Sequence, residues 1–125
     1  MIYGIGIDLI EVERMSEKIG KQPGFREFVF SEQEIAYCEK HTNKFEHYAA
    51  RFAAKEAFFK AIGTGWREGT LFNEVEIGNE ENGKPQVKLL GKTAHTYEGM
   101  QLGKIFVSLS HLKSMATAIV IIENR

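Results

Sequence analysis

The stretch RFAAKEAFFKAIGTG, Arg51 to Gly65, limits the possible folds of this chain more than any other. Ala53, Ala54, Ala57, Phe58, Phe59, Ala61 and Ile62 almost surround its charges, so a helix built from it belongs in a core rather than on a surface. The pattern predicts a helix from about Phe45 to Ile62, with Gly63 as the residue that ends it. At 3.6 residues per turn, Phe52, Glu56, Lys60 and Gly63 share one stripe of that helix. Two readings of the stripe are open. Glu56 and Lys60 form an i,i+4 pair at the edge of the buried face, adding about 0.2–0.5 kcal/mol. Alternatively, the packed helix holds a carboxylate for binding something charged.

A buried helix needs partners, and the remaining chain supplies them. IYGIGIDL reads as a first strand, and EVERMSEKIG as a short helix closed by Gly20 with Pro23 beyond it. SEQEIAYCEKH reads as a further helix, because Ser31 and Glu34 form a capping-box pattern. TLFNEVEI and PQVKLL flank GNEENGK as two strands joined by a turn at Asn82–Gly83. KTAHTYEGM suits a short helix, and KIFVSLS and MATAIVIIE read as two strands joined by HLKS. Phe28, Phe30, Phe52, Phe58 and Phe59 are expected in the core. Helices early and strands mostly late predict an α+β fold, with helices packed on one face of an antiparallel sheet. A chain of 125 residues with 43% hydrophobic and 26% charged residues is expected to be a single domain over residues 1–125. It should bury roughly two thirds of its unfolded surface.

Composition removes several classes of function. A net charge of −1 argues against non-specific nucleic-acid binding. Cys38 is the lone cysteine, which rules out an internal disulfide and a cysteine-rich zinc site. MIYGIGIDLI lacks a basic leader region, and ATAIVII falls far short of the roughly 20 residues of a membrane helix. A cytoplasmic protein with no membrane partner is expected.

The first strand has its own anomaly. Alternation puts Ile5, Ile7 and Leu9 on one face, and Gly4, Gly6 and Asp8 on the other. Two glycines on one face let a backbone, a helix or a ligand approach closely. Asp8 and Glu11 match D-x-x-E, so Asp8 either caps the next helix or is a metal carboxylate at a strand end. Other polar features are ambiguous singly. Gly63-Thr64-Gly65 reads as a helix C-cap or as a phosphate cradle, and the negative end of a helix dipole favours cations there. Asn82-Gly83-Lys84-Pro85 reads as a tight turn with a solvated lysine. Ser108 and Ser110 share a strand face, and His111 stands at the turn. His41, His47 and His95 show no metal-ligand spacing such as HExxH.

Taken in order, GIGID with Arg14 shortly after, RFAAKEAFFKAIGTG, NGKP and VSLSH resemble the holo-(acyl-carrier-protein) synthase family, the small bacterial 4′-phosphopantetheinyl transferases. The resemblance spans nearly the whole chain, with poorer matches at Lys40–His47 and Leu89–Lys104. Phe106 stands where the family often has a histidine. The resemblance implies Mg²⁺, or Mn²⁺, held by Asp8 and Glu56 on the diphosphate of coenzyme A. It also implies transfer of the 4′-phosphopantetheine arm to a serine of apo-acyl carrier protein, with release of 3′,5′-ADP and a role in fatty-acid biosynthesis. Catalysis then falls to Glu56, Lys60 and Asp8, with Glu56 or a metal-linked water as base. Arg51, Lys60, Gly63, Thr64, Gly65, Asn82, Gly83, Lys84, Pro85 and His111 contact coenzyme A. Arg14, Lys18, Lys21 and Arg26 receive the acidic carrier, although Glu11, Glu13 and Glu17 share that segment. The family is a homotrimer with sites between subunits. Competing readings are a non-catalytic coenzyme A or nucleotide-binding module of the same fold, and a structural domain in which Glu56–Lys60 is only a surface pair.

Overall fold

The computed structural model describes residues 1–63 and 69–125. The expected central helix is α4, Lys44–Ile62, the fourth helix in the chain. Tyr48, Ala53, Phe58 and Phe59 on it are at most 2% exposed, so protein surrounds the helix. Each fully buried phenylalanine contributes about 1.5–3 kcal/mol by leaving water. Gly63 ends the helix at φ 91°, a left-handed conformation that a side chain would strain.

Three long strands form the floor beneath α4. They are β1 (Ile2–Glu11), β4 (Leu102–His111) and β5 (Met115–Asn124), antiparallel in the order β1-β5-β4. Ala116, Ala118, Val120 and Ile122 of β5 point inward and are at most 1% exposed. The glycines of β1 explain how the helix sits so close. A Cβ on Gly6 would strike the carbonyl of Ala57, and one on Gly4 the carbonyl of Ala61. Of the three approaches these glycines allow, the one taken is that of a helix backbone. The opposite face of the sheet stays open, with Ile5, Ile7 and Leu9 about 60% exposed and Phe106 43% exposed.

A second sheet pairs β2 (Val75–Asn79) with β3 (Pro85–Leu89) through the Asn82–Gly83 turn. The strands are therefore split between two sheets. Within TLFNEVEI, β2 begins at Val75 and Phe72–Glu74 is a 3₁₀ turn rather than strand. Its reason is polar: Glu74 accepts from the N–H and the hydroxyl of Thr93 at 2.9 and 2.8 Å, which ties the turn to α5 (Gly91–Gly99).

Helices α1 (Val12–Lys21), α2 (Phe25–Val29) and α3 (Glu32–Glu39) cover the early part of the chain. Helix α1 runs through Gly20 to Lys21, and α2 was not anticipated; its short FREFV turn starts at Gly24 with φ 85°. The Ser31–Glu34 capping box is formed, and Glu34 does more than cap. It accepts from Lys55 Nζ at 2.8 Å and from the Ile77 N–H at 2.9 Å. Lys55 Nζ also donates to the carbonyls of Phe72 and Val75, so all three ammonium protons have acceptors. This fully buried pair ties α4 to α3 and to the second sheet. Phe28 departs from expectation at 67% exposure, while Phe30, Phe58 and Phe59 are buried. Among the described residues, no helix is long and apolar enough to cross a membrane.

Candidate active site

Asp8 does not cap a helix. Strand β1 continues through Glu11, which occupies the N-cap position without a side-chain bond. Lys60, from the last turn of α4, donates to Asp8 Oδ1 at 3.1 Å and to the Ile7 carbonyl at 2.9 Å. Glu56 stands one turn earlier on the same helix. Asp8 and Glu56 line a hollow of about 260 Å³ together with Arg14, Lys18 and Phe52. Burial, and then the charge of Asp8, hold the Glu56 carboxyl above the ordinary carboxylate range, against Lys60 and Lys18. Two carboxylates that repel each other, one of them already gripping an ammonium, offer hard oxygen donors to a cation. Among the described residues no group of three or more His, Cys, Asp and Glu could hold a metal. A donor set of two carboxylates suits Mg²⁺, which commonly takes one or two and completes its shell with waters and substrate phosphates.

A second group gathers at the other end of the sequence motif. Arg51 is 2% exposed, with its guanidinium 4.1 Å from the centroid of the Tyr37 ring and Nη2 3.2 Å from Asn79 Oδ1. Its Nε is buried with no hydrogen-bond partner among the described residues. A buried donor left unpaired costs about 1–3 kcal/mol, so this side chain can still take an acceptor. Arg51, Gly83, Pro85 and His111 line one hollow of about 210 Å³ with Tyr37, His47 and Asn79. Gly83 turns there at φ 88°, and Asn82 accepts from the Lys84 N–H at 3.0 Å to shape the turn. The Lys84 side chain is exposed and does not line this hollow. Thr64 and Gly65 lie outside the described residues, and Gly63 serves α4 as its cap.

Tyr37, His47 and Asn79 were not singled out as site residues by sequence. His47 had a usable signal, standing four residues before Arg51 on the same helix. Asn79 pairs with Pro85 across the hairpin, which only the strand register reveals. The two hollows share no lining residue. Arg51 and Glu56, five residues apart, point roughly 140° apart around the helix axis.

The basic residues divide similarly. Arg14 and Lys18 line the carboxylate hollow, and Lys18 Nζ lies 5.7 and 5.8 Å from the rings of Phe25 and Phe52. Lys21 is exposed in the last turn of α1. Arg26 is engaged within the chain, by Glu27 at 2.7 Å and Glu39 at 3.3 Å. Beside these cations an open apolar hollow of about 550 Å³ is walled by Pro23, Phe25, Phe28, Val29, Phe52 and Phe72.

The profile of the 4′-phosphopantetheinyl transferase superfamily matches residues 4–120. The chain belongs to that superfamily. A holo-[acyl-carrier-protein] synthase of Solibacter usitatus is 45% identical over 125 residues, covering 99% of this chain and all of the relative. The fold agrees with the crystal structure of holo-[acyl-carrier-protein] synthase from Neisseria meningitidis at a TM-score of 0.91 and 30% identity, covering 99% of this chain and 100% of that one. A holo-(acyl-carrier-protein) synthase from Bacillus anthracis, solved in complex with coenzyme A (3′,5′-ADP), agrees at 0.82 and 34% identity, covering 100% and 99%. The α+β architecture and the membership expected from the ordered motifs are both borne out.

Proposed function

We propose that this transferase moves the 4′-phosphopantetheine arm of coenzyme A onto a serine of an acyl carrier protein, in the cytoplasm, in support of fatty-acid synthesis. The observation that carries the reading is Asp8 and Glu56 lining one hollow, with Lys60 bound to Asp8, in a chain of this superfamily. In the reaction the serine oxygen attacks the β-phosphorus, the P–O bond to 3′,5′-ADP breaks, and the serine proton leaves. Asp8 and Glu56 would hold a divalent cation, which would supply neutralisation of phosphate charge. Lys60 adds a mobile positive charge for the phosphates or the leaving group, its side chain being 53% exposed. Glu56, with its carboxyl held above the ordinary range, is suited to accept the serine proton through a water. Arg51 offers its unpaired Nε and its fork to a phosphate monoester, with His111 beside it.

The separation of the two hollows supports a site shared between subunits. One chain offers carboxylates in one place and the phosphate-binding arginine in another, so a ligand contacting both draws them from neighbouring copies. The exposed apolar face of the long sheet suits such a neighbour, and a homotrimer is our reading. An acidic carrier protein finds Arg14, Lys18 and Lys21 beside the apolar wall at Phe25 and Phe28.

The test is intact-mass analysis of an apo-acyl carrier protein incubated with this protein, coenzyme A and Mg²⁺, with an EDTA control. A metal-dependent phosphopantetheine adduct on the carrier is expected. Asp8→Asn and Glu56→Gln proteins, shown by circular dichroism to be folded, are expected to lose activity on the order of 100-fold or more. Folded wild-type protein that modifies none of several carriers would return the chain to the binding-module reading.

A further inference from the structure

Three histidines, His41, His47 and His111, meet beside Arg51. The rings of His41 and His47 lie 4.0 Å apart between centroids, and His47 lies 5.3 Å from His111. His41 comes from the turn after α3, His47 from the first turns of α4, and His111 from the end of β4. Among the described residues, charged and titratable groups of three elements surround His47, with Lys40 beyond them over the Tyr37 ring at 5.6 Å. Tyr37 of α3 stands edge-on at 5.6 Å, and Arg51 and Glu46 flank it on α4. His111 Nδ1 is 2.9 Å from Glu46 Oε1, while His41 Nδ1 is 2.9 Å from the Tyr37 carbonyl. One carboxylate therefore faces three imidazoles and a guanidinium. Burial and the Arg51 guanidinium oppose a proton arriving on His47, and Glu46 favours it.

We infer that the His41–His47–His111 stack makes the Arg51 hollow a proton-coupled phosphate site, in which a bound phosphate monoester draws a proton onto His47. The inference rests on the proposed use of coenzyme A, whose 3′-phosphate is such a monoester. Without ligand, burial and then His41, Arg51 and His111 hold His47 down to about 4. A phosphate at Arg51 offsets the guanidinium's repulsion and adds an attracting charge, which raises His47 back toward its ordinary 6.5. Between those values the complex carries a proton that the free protein lacks. The His47 contribution to affinity for a 3′-phosphorylated ligand accordingly grows as pH falls through that window, by up to about tenfold per pH unit for one linked proton.

The experiment is calorimetric titration of the whole protein with coenzyme A and with 3′-dephospho-coenzyme A, near pH 6, in buffers of different ionisation enthalpy. The dependence of the heat on buffer yields the protons exchanged. The phosphate releases some of its own protons at this pH, so His47→Gln is the reference that carries the same ligand. Wild type is expected to take up more protons with coenzyme A than His47→Gln does, approaching one per site, and His41→Gln to shift the wild-type value. With dephospho-coenzyme A the two proteins should exchange equal numbers. Equal uptake of coenzyme A protons by wild type and His47→Gln overturns the inference and leaves the transferase reading intact. Failure of both ligands to bind folded protein overturns the two together.

Discussion

Glu56 is costly to the folded protein as well as useful to it. Its carboxyl titrates above the ordinary range chiefly because it is partly buried, and secondly because Asp8 is close. The folded state therefore binds more protons than the unfolded state between the ordinary carboxylate value and the raised one, and stability falls as pH rises through that window. Above it the penalty is fully present. Glu56→Gln is accordingly expected to melt a few degrees higher than wild type near neutral pH, with the gain fading as pH drops below the ordinary carboxylate range. Mg²⁺ should raise the melting temperature of wild type and leave that of Glu56→Gln nearly unchanged. Thermal melts across pH, with and without the metal, measure both effects. A variant less stable than wild type at neutral pH contradicts the account. The same residue thus loses stability where it gains a site for positive charge.

Helix α4 reaches the sheet through the glycine face of β1, and that contact sets where Asp8 and Lys60 meet. Because a Cβ at Gly6 would meet the Ala57 backbone carbonyl, the helix has to move if one is added. Gly6→Ala is expected to cost about 1–3 kcal/mol or more, the range for overpacking a rigid core. It should lower activity beyond the loss of folded protein, since displacing α4 pulls Lys60 from Asp8. Gly20 is the matched control: it lies within α1, is exposed, and has nothing within 4 Å of an added Cβ. Gly20→Ala should gain about 0.5–1 kcal/mol, because alanine loses less backbone entropy on entering a helix. Urea denaturation of the two variants reads both signs. Similar effects at the two positions contradict close helix–strand packing as the cause.

At the scale of the molecule, the unshared hollows and the open sheet face belong together. Ile5, Ile7 and Leu9 alternate outward on β1, and Phe106 projects from β4. Contiguous apolar surface of this kind marks association in soluble proteins. Ile7→Asp, at a position 62% exposed in the single chain, leaves the core untouched. It is expected to give a folded monomer by sedimentation, with wild-type circular dichroism and with carrier modification lost. A monomeric Ile7→Asp protein that stays fully active contradicts a site built between subunits.

The local signals in the chain were enough for most elements. Apolar periodicity gave α4, the capping box gave α3, and Asn82–Gly83 gave the β2–β3 turn, because each depends on neighbours within a few residues. The ordered motifs likewise pointed to the superfamily. What sequence left open was decided by contacts between distant residues. D-x-x-E is the same string whether or not Asp8 caps a helix; the continuation of β1 to Glu11 removes the cap, and Lys60, 52 residues away, meets the carboxylate instead. Phe28 and Phe58 have identical side chains, and only packing makes one exposed and the other buried. The orphaned Nε of Arg51, the histidine stack and the Glu34–Lys55 pair are likewise invisible to spacing, because burial and partnership are properties of the folded surroundings.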